Sequence, residues 1–225
     1  MRTWWRRSST KKSLKRLTPL TEIGIQRFIG GLALAFPIVL LLVVSARDLE
    51  VPHSLSAYYY TPARPVFVAF LIAIGTLLII YRGNRTETVL STICGISVIC
   101  LALIPTKVCL APTDCFESTT LFASRWLHYP AATTFFIGAA LHSRFLFSRT
   151  VNERLSTVFR RLGDFLLLLV ALLAVLVVTK WSKGTPFIFY LQALMVWLFA
   201  LSWILKGFVE NPKEFDHNTE ERCVV

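Results

Sequence analysis

The sequence predicts an all-α polytopic membrane bundle of about six transmembrane helices, and three observations lead there. Of 225 residues, 55% are hydrophobic and only 16% charged, too apolar a balance for a chain that must face water over most of its surface. The apolar residues gather into six runs, approximately Phe28 to Ser45, Val66 to Tyr81, Val89 to Ile104, Leu127 to Leu146, Phe165 to Val178 and Phe187 to Ile204. Most approach the ~20 residues that a helix needs to cross hydrocarbon. Charge supplies the third observation, because Lys and Arg in short flanking segments set orientation and a wrong span count would scramble them. With the N-terminus inside, eighteen basic residues fall inside against six outside. The outer six are Arg47, Arg64, Lys107, Arg125, Lys180 and Lys183. Six spans with both termini cytoplasmic, in a bacterial inner membrane, is the resulting expectation.

Residues 1–27 read as a basic cytoplasmic tail, with Glu22 its single acid. Arg6 and Arg7 form a twin-arginine pair, yet no apolar core or small-residue cleavage site follows closely, so the first apolar run is expected to be a retained span. Thr18 before Pro19 has the pattern of an N-cap with proline at the first helical position. Residues 28–205 form the expected membrane domain, and 206–225 a second cytoplasmic tail. Span four carries His128, Tyr129 and Pro130 at one end and His142 and Arg144 at the other. The apolar stretch of span five is short enough to be re-entrant.

Between spans four and five a short amphipathic cytoplasmic helix is expected at about 151–163. Thr150 and Glu153 have capping-box spacing, Leu155, Val158, Phe159 and Leu162 repeat at helical intervals, and Gly163 suits a helix end. Its arginines would lie on the inner leaflet.

Composition and spacing exclude several function classes. The formal charge of +11 invites nucleic acid as a partner, but the basic residues are split by apolar runs and no DNA-binding motif is present. No Asp, Glu, Lys or Arg lies mid-span, which argues against an ion-coupled carrier, and no internal repeat suggests a duplicated transporter. Gln192 in span six reads as a helix–helix hydrogen bond. The five cysteines lack metal spacing. Cys109 and Cys115 share the expected third loop, on the outside, where disulfides persist, and are a candidate pair. Cys223 misses the four-residue prenylation box.

The first outer loop is the informative segment: Pro52-His53-Ser54-Leu55-Ser56-Ala57-Tyr58-Tyr59-Tyr60-Thr61-Pro62-Ala63-Arg64-Pro65. Interfacial tyrosines commonly serve only as anchors. Alternatively, His53, Ser56, Tyr58, Tyr60 and Arg64 could line a ligand site with Arg125 and His128, which the topology puts at the same membrane face. For Arg64 and Arg125, ion pairing with Asp48 or Glu50 is the competing structural expectation.

Ser54 to Pro62, Arg64, Val66-Phe67-Val68, Tyr81-Arg82-Gly83, Pro105-Thr106, Leu127-His128-Tyr129 and Trp203 to Gly207 together resemble a family of uncharacterised bacterial multi-span membrane proteins, classed as a domain of unknown function. The resemblance runs from Val51 to Gly207 and implies a helical bundle without an established activity. Pro65 stands where the family pattern leads one to expect an acid. A more distant analogy is to ceramidase and progestin-receptor-like membrane hydrolases. Tyr60 occupies the position of their first zinc-binding histidine, and His128 and His142 are too far apart for their histidine pair.

The functional expectation is therefore a non-enzymatic protein that binds a lipid, a small amphiphile or a partner protein at its outer face. Homo-oligomerisation is open, and no cofactor is expected. A lipid hydrolase is the alternative, with His53 and His128 as zinc ligands or general bases and Ser56 assisting. A passive channel is third.

Overall fold

The structure, a computed structural model, describes residues 19–105, 108–109, 115–116, 125–149, 152–179 and 185–209. It is helical apart from one short β pairing. The helices are α1 (Pro19–Ser45), α2 (Arg64–Ile80), α3 (Arg85–Leu103), α4 (Arg125–Leu141), α5 (Glu153–Thr179) and α6 (Phe187–Val209). Each expected apolar run is carried by one of them, or by the π turn His142–Leu146 that prolongs α4. Four of the helices, α1, α3, α5 and α6, are long and apolar enough to cross a membrane. α2 is a shorter apolar helix. A 3₁₀ helix, Leu55–Tyr60, fills the first loop, and β1 (Val108–Cys109) pairs antiparallel with β2 (Cys115–Phe116).

Each helix packs against the next in sequence, and α6 returns to α1, closing a ring. Glycines set the closest seams. A Cβ on Gly75 of α2 would lie 2.9 Å from the Gly95 carbonyl of α3, so the two backbones touch where neither carries a side chain. Such small-residue contacts draw helices together where lipid supplies no hydrophobic drive. Between the seams, Phe36 packs on Phe67 and Phe70, and Trp203 on Phe147 and Phe199.

Local signals explain the helix ends. Asp48 takes a left-handed φ of 52°, which a short polar side chain tolerates. There the Leu49 and Asp48 amides return to the carbonyls of Val44 and Ser45, closing α1. Pro37 inside α1 has no N–H to give the Ala33 carbonyl and its ring crowds that oxygen. The adjacent carbonyl, Leu34 O, accepts from the Trp197 indole at 3.1 Å. Asn84 caps α3 reciprocally with Glu87, each side chain accepting the other's backbone N–H.

The segment expected as a separate helix at about 151–163 differs. Glu153–Thr179 is one continuous helix. Asn152 is its cap, accepting the Leu155 amide at 3.1 Å, whereas Thr150 lies outside the described residues. Gly163 does not end it. A Cβ there would lie 2.8 Å from the Ala140 carbonyl and against Arg144, so this glycine lets α5 approach α4. The amphipathic repeat is the first part of a membrane-length helix: Phe159 faces the core while Arg154, Arg160 and Arg161 are exposed.

Candidate functional site

The loop between α1 and α2 packs onto α2 and α6. The His53 carbonyl accepts the Phe189 amide at 2.9 Å, satisfying one of the orphan donors at the start of α6. Gln192 Oε1 accepts the Leu55 amide at 2.8 Å. Gln192 therefore joins a helix to a loop, where the sequence suggested a bond between helices. Thr61 donates from Oγ1 to the Tyr58 carbonyl and accepts the Ala63 amide, bending the chain into α2. Pro65 then occupies the first turn of α2, where its missing N–H costs nothing.

The loop's side chains divide into buried and open groups. Tyr58 is fully buried, its ring tilted against Phe189 at 5.4 Å between ring centroids, and among the described residues its hydroxyl has no hydrogen-bond partner. Burial, with Tyr190 adding to it, pushes its pKa up to about 12. Ser54 and Ser56 bring their hydroxyls to 3.4 Å. Tyr60 is half-buried; burial raises its pKa, as does Tyr59, while Arg64 opposes them. His53 is exposed, though neighbouring atoms desolvate the ring enough to lower its pKa.

Arg64 is also exposed. Its Nη2 donates to the Tyr59 hydroxyl at 2.5 Å, and the guanidinium carbon lies 4.0 Å from the centre of the Tyr59 ring. Neither Asp48 nor Glu50 pairs with it, so the ion pair expected as the competing explanation is not formed.

His128 has other partners. It is buried near the start of α4, and Nδ1 donates to the Ile104 carbonyl at 2.7 Å, tying α4 to the end of α3. The first loop meets α2 and α6, and the His53 carbonyl bonds to α6, whereas His128 bonds to the end of α3. Arg125 opens α4, but its side chain is outside the described residues, as are those of Cys109 and Cys115. Among the described residues no three His, Cys, Asp or Glu side chains cluster to hold a metal ion.

A second polar cluster, which the sequence reading missed, lies at the opposite end of the bundle. Gln26 Nε2 of α1 donates to the Tyr81 hydroxyl, which donates to Glu87 Oε2 of α3, both at 3.3 Å. One turn along α3, Ser91 is 2.9 Å from His142 Nε2, whose Nδ1 donates to the Gly138 carbonyl at 3.0 Å. Trp203 lies against both Tyr81 and His142, and Lys206 is buried over Phe147. In the sequence Glu87 and Lys206 simply flank apolar runs. The only hint of their burial is spacing: Glu87, Ser91, Val98 and Ala102 share the helical face that α3 buries.

Comparison with protein-family models, curated proteins and solved structures gives no match. The functional reading therefore rests on the residues themselves.

Proposed function

We propose that this chain is a six-span inner-membrane protein, with both termini cytoplasmic, that holds a lipid or small amphiphile with an anionic headgroup at its outer face through Arg64. One observation carries the reading. Arg64 is exposed at the start of α2, oriented by Tyr59, and unpaired with any described carboxylate. An arginine this close to hydrocarbon is stabilised by a phosphate or other anion. The neighbouring Tyr60 and His53 add an aromatic, hydrogen-bonding rim, while Tyr58 and Gln192 hold the loop rigid.

Charge supports the orientation. The bundle end shared by Arg82, Arg85, Arg149, Arg154, Arg160 and Arg161 matches a cytoplasmic face meeting anionic headgroups. The outer loop between α3 and α4 is proposed to carry a Cys109–Cys115 disulfide, because the backbone register sets those two residues opposite each other.

Native mass spectrometry of protein released from nanodiscs of mixed phosphatidylglycerol and phosphatidylcholine tests the binding reading. Preferential retention of the anionic lipid is expected. Equal retention of both would contradict it. The lipid-hydrolase alternative, with His53 and His128 as metal ligands or general bases, is tested by metal analysis of the purified protein.

A further inference from the structure

Glu87 presents a problem that the outer-face reading does not address. It lies in the first turn of α3, 3% exposed. Oε2 accepts from the Tyr81 hydroxyl and from the Asn84 amide, but Oε1 is buried with no hydrogen-bond partner. No described Lys or Arg forms an ion pair with it. A buried carboxylate without a counter-charge is costly, and within a membrane bundle more so.

The surroundings leave room for one kind of solution. Arg82 is turned onto the Ile79 and Tyr81 carbonyls, and Arg85 is exposed. In the π turn after α4, His142 is engaged by Ser91 and Gly138 and also lies against the Glu87 backbone. On α6, Lys206 sits 5.6 Å from the centre of the Phe147 ring, and on α1 Gln26 bonds to Tyr81. The carboxyl is nevertheless only one layer below water, because the turn Arg82, Gly83, Asn84 above it is exposed. Gly83 is what permits that closeness: a Cβ there would run into the Glu87 carboxyl and stand 2.9 Å from the Tyr81 hydroxyl.

We propose that Glu87 is an exchangeable monovalent-cation site at the cytoplasmic end of the bundle, its unpartnered oxygen taking a proton or a sodium ion that enters past the Gly83 turn. The cation supplies the counter-charge that no described side chain brings into ion-pair distance of Glu87. Exchange requires only that this turn lift, and it links the contact of α1, α2 and α3 to the ion on the inner side.

Purified protein in nanodiscs separates the two cations. Thermal unfolding is followed in sodium against N-methylglucamine, and infrared difference spectra are recorded as pH is changed, for wild type and Glu87→Gln. A sodium-dependent rise in Tm that Glu87→Gln lacks identifies sodium. A protonated-carboxyl band that titrates reversibly and is missing in Glu87→Gln identifies a proton. Tyr81→Phe, which removes one donor to Oε2, is expected to shift the apparent binding constant roughly tenfold; it also serves if Glu87→Gln does not fold. A wild-type protein showing neither the sodium response nor the titrating band overturns the proposal.

Discussion

Tyr58 tilts its ring against Phe189, centroids 5.4 Å apart, while its hydroxyl is buried without a partner among the described residues. The ring and the hydroxyl therefore contribute with opposite signs. Tyr58→Phe keeps the ring contact and removes an unsatisfied polar group, so stability is expected to stay level or rise by up to ~1 kcal/mol. Tyr58→Ala deletes the ring from a closed core and should cost about 3–5 kcal/mol. Thermal unfolding in one detergent measures both. A large loss in Tyr58→Phe would mean that the hydroxyl has a partner.

Gly163 gives a test whose sign distinguishes a closed helix seam from an open one. In an open helix interior the change to alanine gains about 1 kcal/mol. Against the Ala140 carbonyl, alanine instead overpacks the α4–α5 seam, and a loss of roughly 1–3 kcal/mol is expected. Unfolding of Gly163→Ala reads the sign directly.

That glycine also marks how far the sequence could be read. The six apolar runs were legible because lipid demands long, unbroken apolar stretches. The relation between the 151–163 repeat and the run after it was not. A helix terminator and a close helix contact both select glycine, and only the position of α4 tells them apart. The candidate site shows the same limit. The first loop was recognisable by composition, but Gln192, read as a bond between helices, did not reveal the loop's attachment to α6. Whether two residues at one membrane face meet depends on which helices neighbour each other, and a shared face does not encode that. Glu87 and Lys206 escaped notice because charges at helix ends normally reach water.

Cys109 and Cys115 stand opposite each other in the β1–β2 register. Directly opposed antiparallel residues have Cα atoms about 4.5–5.5 Å apart, within the range that a disulfide spans. Peptide mapping without reduction should recover the two cysteines as a linked pair, and finding both alkylated as free thiols would refute the bond.

Orientation can be checked with reporter fusions. Those after Arg85, within 150–160 and at the C-terminus should report cytoplasm, and those near His53, Asp114 and Lys183 the exterior. A cytoplasmic signal near Asp114 would remove the six-span arrangement, and with it the assignment of Arg64 to the outer face.

The outer-face reading depends most directly on Arg64. Binding of phosphatidylglycerol to wild type, Arg64→Lys and Arg64→Ala in nanodiscs, with Arg82→Ala as the control at the opposite end, measures it by quantitative native mass spectrometry. Loss of charge-assisted hydrogen bonds worth about 1.5–3 kcal/mol predicts roughly ten- to hundredfold weaker binding for Arg64→Ala. Arg64→Lys should fall between, since an ammonium keeps the charge without the planar fork. Unchanged affinity in Arg64→Ala, with the fold intact, would contradict the account.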